Sequence, residues 1–128
     1  MPLSANEGCG LVGGICGDDI EWALSSYAKN KAPGLDGLPG EFYDTFRAEL
    51  TIPLCQLYNT SYELGKMSDT MRTGVITIIC KDSSHKNDLN YYRPISLLNY
   101  DAKILAKILD FRLSKVLRKL IGPHQFFD

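Results

Sequence analysis

Two short apolar runs in the second half of the chain constrain its fold more than any other feature. Gly74 to Lys81 is rich in β-branched residues and ends on a lysine. Ile95 to Leu98 follows the pair Arg93-Pro94, whose proline biases the arginine towards extended backbone. Both runs have the length of strands, and the polar segment Asp82 to Asn90 between them predicts an antiparallel hairpin, with a loop longer than the usual two to five residues. Alternation places Val75, Thr77, Ile79 and Lys81 on one face of the first strand, and Arg93, Ile95 and Leu97 on one face of the second. If the register aligns those faces, Lys81 and Arg93 converge near the open end. A compact ammonium beside a planar guanidinium fork suits a polyphosphate.

Helical spacing accounts for most of the remainder. A helix is predicted from Asp18 to about Asn30, with Ile20, Trp22, Ala23, Leu24 and Tyr27 on its apolar side and Pro33-Gly34 setting its end. Two more follow, over Gly40 to Leu50 and Ile52 to Leu64, with Pro53 in the first turn of the second. Phe42, Tyr43, Phe46, Leu50, Leu54, Leu57, Tyr58 and Leu64 recur at helical intervals, which favours core packing over base stacking. The last helix, about Tyr100 to Ile121, is roughly 30 Å long at 1.5 Å per residue and is stopped by Gly122-Pro123. Leu105, Leu109, Leu113, Val116, Leu117 and Leu120 fall on one side of it, and Lys103, Lys107, Lys115, Arg118 and Lys119 spread over much of the other, with Ile104 and Ile108 among those bases. The expected architecture is α+β, with helices packed around a small antiparallel β-hairpin.

The loop Pro33 to Gly40 holds Pro-Gly, Asp-Gly and Pro-Gly dipeptides, a series of turns. It reads either as a plain connector or as a place where the backbone at Gly34 and Gly37 comes close to a nucleic-acid phosphate, which the lack of a Cβ permits. Residues 1–17 read as a flexible glycine-rich tail, and the domain proper as 18–128. The tail contains a formal G-x-G-x-x-G match, Gly8 to Gly13, but no strand before it to make a dinucleotide site.

Charge is divided unevenly along the chain. Residues 1–65 carry three Lys and Arg against nine Asp and Glu, a balance of −6, whereas residues 66–128 carry eleven against six, a balance of +5. A basic half that contains the hairpin and a basic helix has the character of a nucleic-acid footprint, although a solvated lysine face has the same composition. Membrane-surface and calmodulin-type binding are the weaker readings of that helix. Cys9, Cys16, Cys55 and Cys80 show no metal-ligand spacing and read as free thiols. Asp18-Asp19 is the one adjacent acidic pair, and its place at a helix start marks it as capping rather than metal-binding. Asn59-Thr60-Ser61 matches a glycosylation acceptor by pattern only. No secretory leader and no transmembrane run is visible, so an intracellular protein of nucleus or cytoplasm is expected.

Taken in order, Lys31 to Tyr43, Gly74 to Lys81, Asp88 to Asn99, Asp101 to Leu113 and Leu120 to Gln125 resemble blocks of the fingers region of reverse transcriptases from LINE-type (non-long-terminal-repeat) retrotransposons. They cover the chain from about Asp18 to Gln125. The resemblance implies a fingers subdomain of a right-hand polymerase in which Lys81 and Arg93 hold the triphosphate of an incoming nucleotide. It also implies that the loop bearing Gly34, Asp36 and Gly37 lies near the template. RNA template, DNA primer and deoxynucleoside triphosphate are the implied partners. The palm of that family carries the catalytic aspartates beyond the last matching block, so the chain is expected to hold no catalytic residue, no metal and no cofactor of its own. Magnesium is implied only for a complete polymerase, with the missing palm region as a further partner. The chain departs from the family pattern at Tyr91, where Asn is common, and after Gln125. The competing reading is a non-enzyme, either an inactive relic or a small nucleic-acid-binding module.

Overall fold

The computed structural model describes residues 13–121. They form an α+β fold of five α-helices and one two-stranded antiparallel hairpin. The order is α1 (Gly17–Ser25), α2 (Gly40–Thr45), α3 (Arg47–Leu64), α4 (Asp69–Arg72), β1 (Gly74–Cys80), β2 (Tyr92–Leu98) and α5 (Tyr100–Leu120). The G-x-G-x-x-G match up to its last glycine, Cys9, the Gly122-Pro123 stop and the Gln125 segment lie outside the described residues.

Local chemistry sets the helix ends. At the start of α1 the Cys16 N–H donates to Asp19 Oδ2 at 3.0 Å, so Asp19 is the capping carboxylate of the acidic pair. Its end falls at Ser25, short of the expected Asn30. The Ser25 and Ser26 hydroxyls donate back to the carbonyls of Trp22 (2.8 Å) and Ala23 (3.0 Å), taking acceptors that a further turn would need. The break between α2 and α3 comes at Phe46 rather than Thr51, which puts Pro53 inside α3 instead of in its first turn. Pro53 offers no N–H to the Glu49 carbonyl, but both residues are exposed, so water can reach that carbonyl. Gly65, at φ 64°, then closes α3 as the Lys66 N–H donates to the Ser61 carbonyl at 3.1 Å.

The core is built by helices alone. Ile20, Ala23 and Leu24 of α1, Tyr43 of α2, Leu54 and Tyr58 of α3, Met71 of α4 and Tyr100, Ile104 and Ile108 of α5 form one buried cluster. No hairpin residue belongs to it. The helices therefore pack on one another, not around the hairpin, which projects from them with Ile76 71% and Ile78 59% exposed. Within α5 the buried residues are Tyr100, Ile104, Ile108 and, of the expected core stripe, Val116, whereas Leu109, Leu113 and Leu120 of that stripe are each more than two-fifths exposed. Phe46 and Leu64 are likewise exposed rather than core.

Polar contacts fix how the helices meet. The Tyr58 hydroxyl donates to the Asp101 carbonyl at 2.7 Å, joining α3 to α5. Trp22 stacks on Phe111 with ring centroids 4.1 Å apart. Beside that stack, Arg112 of α5 donates to Asp19 Oδ2 at 2.8 Å and to the carbonyls of Gly13 and Gly14. The Asn59 amide makes a reciprocal pair with the Ile15 N–H and C=O, 2.9 Å each, so the side chain of the glycosylation pattern is engaged internally. These contacts hold residues 13–16 against α3 and α5.

Candidate nucleic-acid interface

The hairpin register decides what its faces present. Val75 pairs with Leu97, Thr77 with Ile95 and Ile79 with Arg93, and the Lys81 N–H extends the ladder by donating to the Tyr91 carbonyl at 2.7 Å. Lys81 and Arg93 thus share a face as diagonal neighbours, whose Cβ atoms in antiparallel pairs stand about 7–8 Å apart. They sit at the loop end of the hairpin rather than its open end. Both are exposed, and neither takes part in an ion pair among the described residues. A row of aliphatic residues leads to them along the same face, with Ile79 51% and Ile95 37% exposed.

The loop behind the two cations is ordered by its own side chains, which is why its length is compatible with a hairpin. The carboxylates of Asp82 and Asp88 accept from the N–H groups of Ser84 and Asn90, both at 2.9 Å, forming two short 3₁₀ turns (Ser83–His85 and Leu89–Tyr91). The bonds from Ser84, with His85 beside it, hold the Asp82 carboxyl below the usual range. The His85 ring stacks on Tyr91 at 4.1 Å and pairs with Asp82, and the Tyr92 hydroxyl donates to the Lys86 carbonyl at 2.8 Å.

Lys103, Lys107 and Lys115 of α5 contribute less to a basic face than the sequence implies. Lys107 donates to the Ser26 carbonyl at 2.7 Å and lies over the Tyr27 ring. Lys103 lies over Tyr100 and Lys115 over Phe111. Their stems cover the molecule's own aromatic rings, which leaves the hairpin pair more available than these three lysines.

Gly34, Asp36 and Gly37 lie at the other end of the hairpin. Arg93 and Leu98 span most of β2, so the turn is about 17 Å from the cations at the strand rise of about 3.3 Å per residue. The structure brings Lys81 and Arg93 together but does not bring the turn to them. Gly34 faces inward: a Cβ there would stand 2.3 Å from Asn99 Oδ1 and 2.5 Å from the Asn99 nitrogen. Its missing side chain makes room for this chain's own backbone, so close approach to a phosphate at Gly34 does not follow. Gly37 does face open space, at φ 71°, and Asp36 is exposed beside it. The Gly37 N–H donates to the Gly34 carbonyl at 3.1 Å and the Leu38 N–H to Asp36 Oδ1 at 3.0 Å, which closes the turn.

The residue that organises this corner, Asn99, closes the Asp88 to Asn99 block, but nothing in the sequence shows what its side chain would bond. Burial pushes the nearby Tyr43 phenol up to about 12, with the carboxylates of Asp101 and Asp36 adding to the effect. Among the described residues no cluster of His, Cys, Asp and Glu is placed to hold a metal ion. An apolar groove of about 640 Å³ lies between α3 and α5, lined by Tyr58, Tyr62, Met67, Leu105 and Leu109, and no hairpin residue lines it. No helix among the described residues is long and apolar enough to cross a membrane.

With this geometry in place, the chain is related by sequence to proteins encoded by transposons. It is 34% identical over 113 residues to the transposon TX1 uncharacterized 149 kDa protein of Xenopus laevis, covering 86% of this chain and 8% of that protein. It is 24% identical over 111 residues to the probable RNA-directed DNA polymerase from transposon BS of Drosophila melanogaster, covering 85% of this chain and 12% of the relative. The probable RNA-directed DNA polymerase from transposon X-element, also of Drosophila melanogaster, is 22% identical over 128 residues, 98% of this chain and 13% of its own length. The chain thus spans roughly a tenth of the length of these curated relatives. No protein-family model matches it.

Proposed function

We propose that the chain is a fingers segment of an RNA-directed DNA polymerase of a LINE-type retrotransposon. In this reading Lys81 and Arg93 receive the triphosphate of the incoming deoxynucleotide, and the outward side of the turn at Asp36 and Gly37 faces the template. Gly34 supports that turn from inside. The observation that carries the reading is the register, which sets an ammonium and a guanidinium side by side on an exposed strand face with no carboxylate paired to either among the described residues. Each charge-assisted contact to a phosphate oxygen contributes about 1.5–3 kcal/mol. Similarity to two probable RNA-directed DNA polymerases supplies the reaction class. No magnesium ligand is assigned within the segment.

The test is kinetic. In a polymerase carrying this segment, Arg93→Ala and Lys81→Ala each raise the apparent KM for deoxynucleoside triphosphate by about tenfold or more, and leave the KM for primer–template near wild type. Unchanged nucleotide kinetics in both variants refute the assignment.

A further inference from the structure

Asn99 stands where the turn, the hairpin and α5 meet, and it is only 3% exposed. Its Oδ1 accepts from the Asp36 N–H at 3.2 Å, and its Nδ2 donates to the Thr70 carbonyl of α4 at 3.1 Å. Asparagine before a helix ordinarily caps it with its side chain, yet this one makes no such bond to α5. Only its backbone carbonyl serves that helix, accepting from the Lys103 N–H at 3.2 Å. Gly34 meets Asn99 so closely that a Cβ would overlap it, and at Gly40 a Cβ would stand 2.7 Å from the Tyr100 ring. The loop is therefore seated at both ends on two consecutive residues at the foot of β2.

We infer that Asn99 is a positioning residue that couples the 34–37 turn to the hairpin, holding the exposed turn and the cation pair of Lys81 and Arg93 at one fixed spacing. Its side chain joins the turn to the end of α4, which leads directly into β1, while its backbone joins β2 to α5. The functional half of this inference rests on the nucleic-acid reading above, and the geometric half does not.

Two measurements on the 128-residue chain test it: amide hydrogen exchange and anisotropy with a fluorescein-labelled RNA template–DNA primer duplex at low salt. Asn99→Ala should lower protection of the Asp36 amide about tenfold, with the helical amides of Tyr58 and Ile108 protected as in wild type. Duplex affinity should fall by a similar factor. Asn99→Asp keeps the Asp36 acceptor and the volume but sets an oxygen against the Thr70 carbonyl, and unchanged protection of Tyr58 and Ile108 establishes it as a folded comparison. It should leave Asp36 protected and raise exchange at the Gly74 and Leu98 end of the ladder. Unchanged Asp36 protection in Asn99→Ala, or protection lost evenly along the chain, would overturn the coupling. A wild-type chain that binds no duplex overturns the nucleic-acid reading, while the exchange pattern still decides whether Asn99 couples the two parts.

Discussion

Asp19 and Asp101 each lie in the first turn of a helix, where a carboxylate complements the helix dipole, yet the fold moves them in opposite directions. For Asp19, burial opposes ionisation, but the Cys16 N–H and the Arg112 guanidinium together outweigh it and lower the pKa below 3.8. A lowered carboxyl contributes stability above its unfolded pKa and loses it as pH falls through the folded value. Asp19→Asn should therefore cost about 1 kcal/mol at pH 7, and urea titrations should show the difference closing on acidification. For Asp101, burial raises the pKa, the Ala102 N–H pulls against it, and the Asp36 carboxylate adds to the rise. The folded state then favours the neutral acid, so stability present below the unfolded pKa is lost as pH rises through the folded one. Asp101→Asn should raise the melting temperature at pH 7 and have no effect well below pH 3.8. Cys55 offers a chemical readout. Burial pushes its thiol up, with Cys16 and Asp19 adding to the shift, so iodoacetamide at pH 8 should label it more slowly than the exposed Cys16.

At the level of single elements, α5 shows why an apolar stripe does not identify a core face. Its leucines and its isoleucines lie on adjoining sides, and each stripe has helical spacing. Ile104 and Ile108 face α1 and α3, because Lys103 and Lys107 can lay their stems over Tyr100 and Tyr27 and so border a buried surface without burying their charges. Ile108→Ala should destabilise the chain by about 2–5 kcal/mol, whereas Leu109→Ala, at a site 47% exposed, should cost less than about 1 kcal/mol. Equal effects in chemical denaturation would return the core to the leucine stripe. The hairpin was legible from its β-branched runs and its proline, while its register and its place outside the helical core awaited the structure.

Over the whole molecule, the separation of a helical core from a projecting hairpin has a direct consequence for folding. None of the core residues lies on β1 or β2. Replacing residues 76–96 with a two-residue Asn-Gly turn should leave helical circular dichroism and a cooperative thermal transition, since Asn99, Met71 and Gly74 at the foot remain. Loss of cooperative unfolding would show that the hairpin supports the core. In the intact chain the projecting strands expose Ile76, Ile78 and Ile79, apolar surface more typical of a contact face than of a free one.

The sequence by itself determined the types of the longer elements, since periodicity, β-branched runs and Pro and Gly positions are local properties of a chain, whereas the four-residue α4 is too short to show a period. It also determined that Lys81 and Arg93 alternate onto particular strand faces. Tertiary structure alone decided which side of α5 is buried, that Gly34 faces Asn99 rather than an outside partner, and that Arg112 and Asn59 hold residues 13–16. Those outcomes depend on contacts between residues distant in the chain, and an asparagine or a glycine gives no local sign of the neighbour that will fill its space or take its hydrogen bonds.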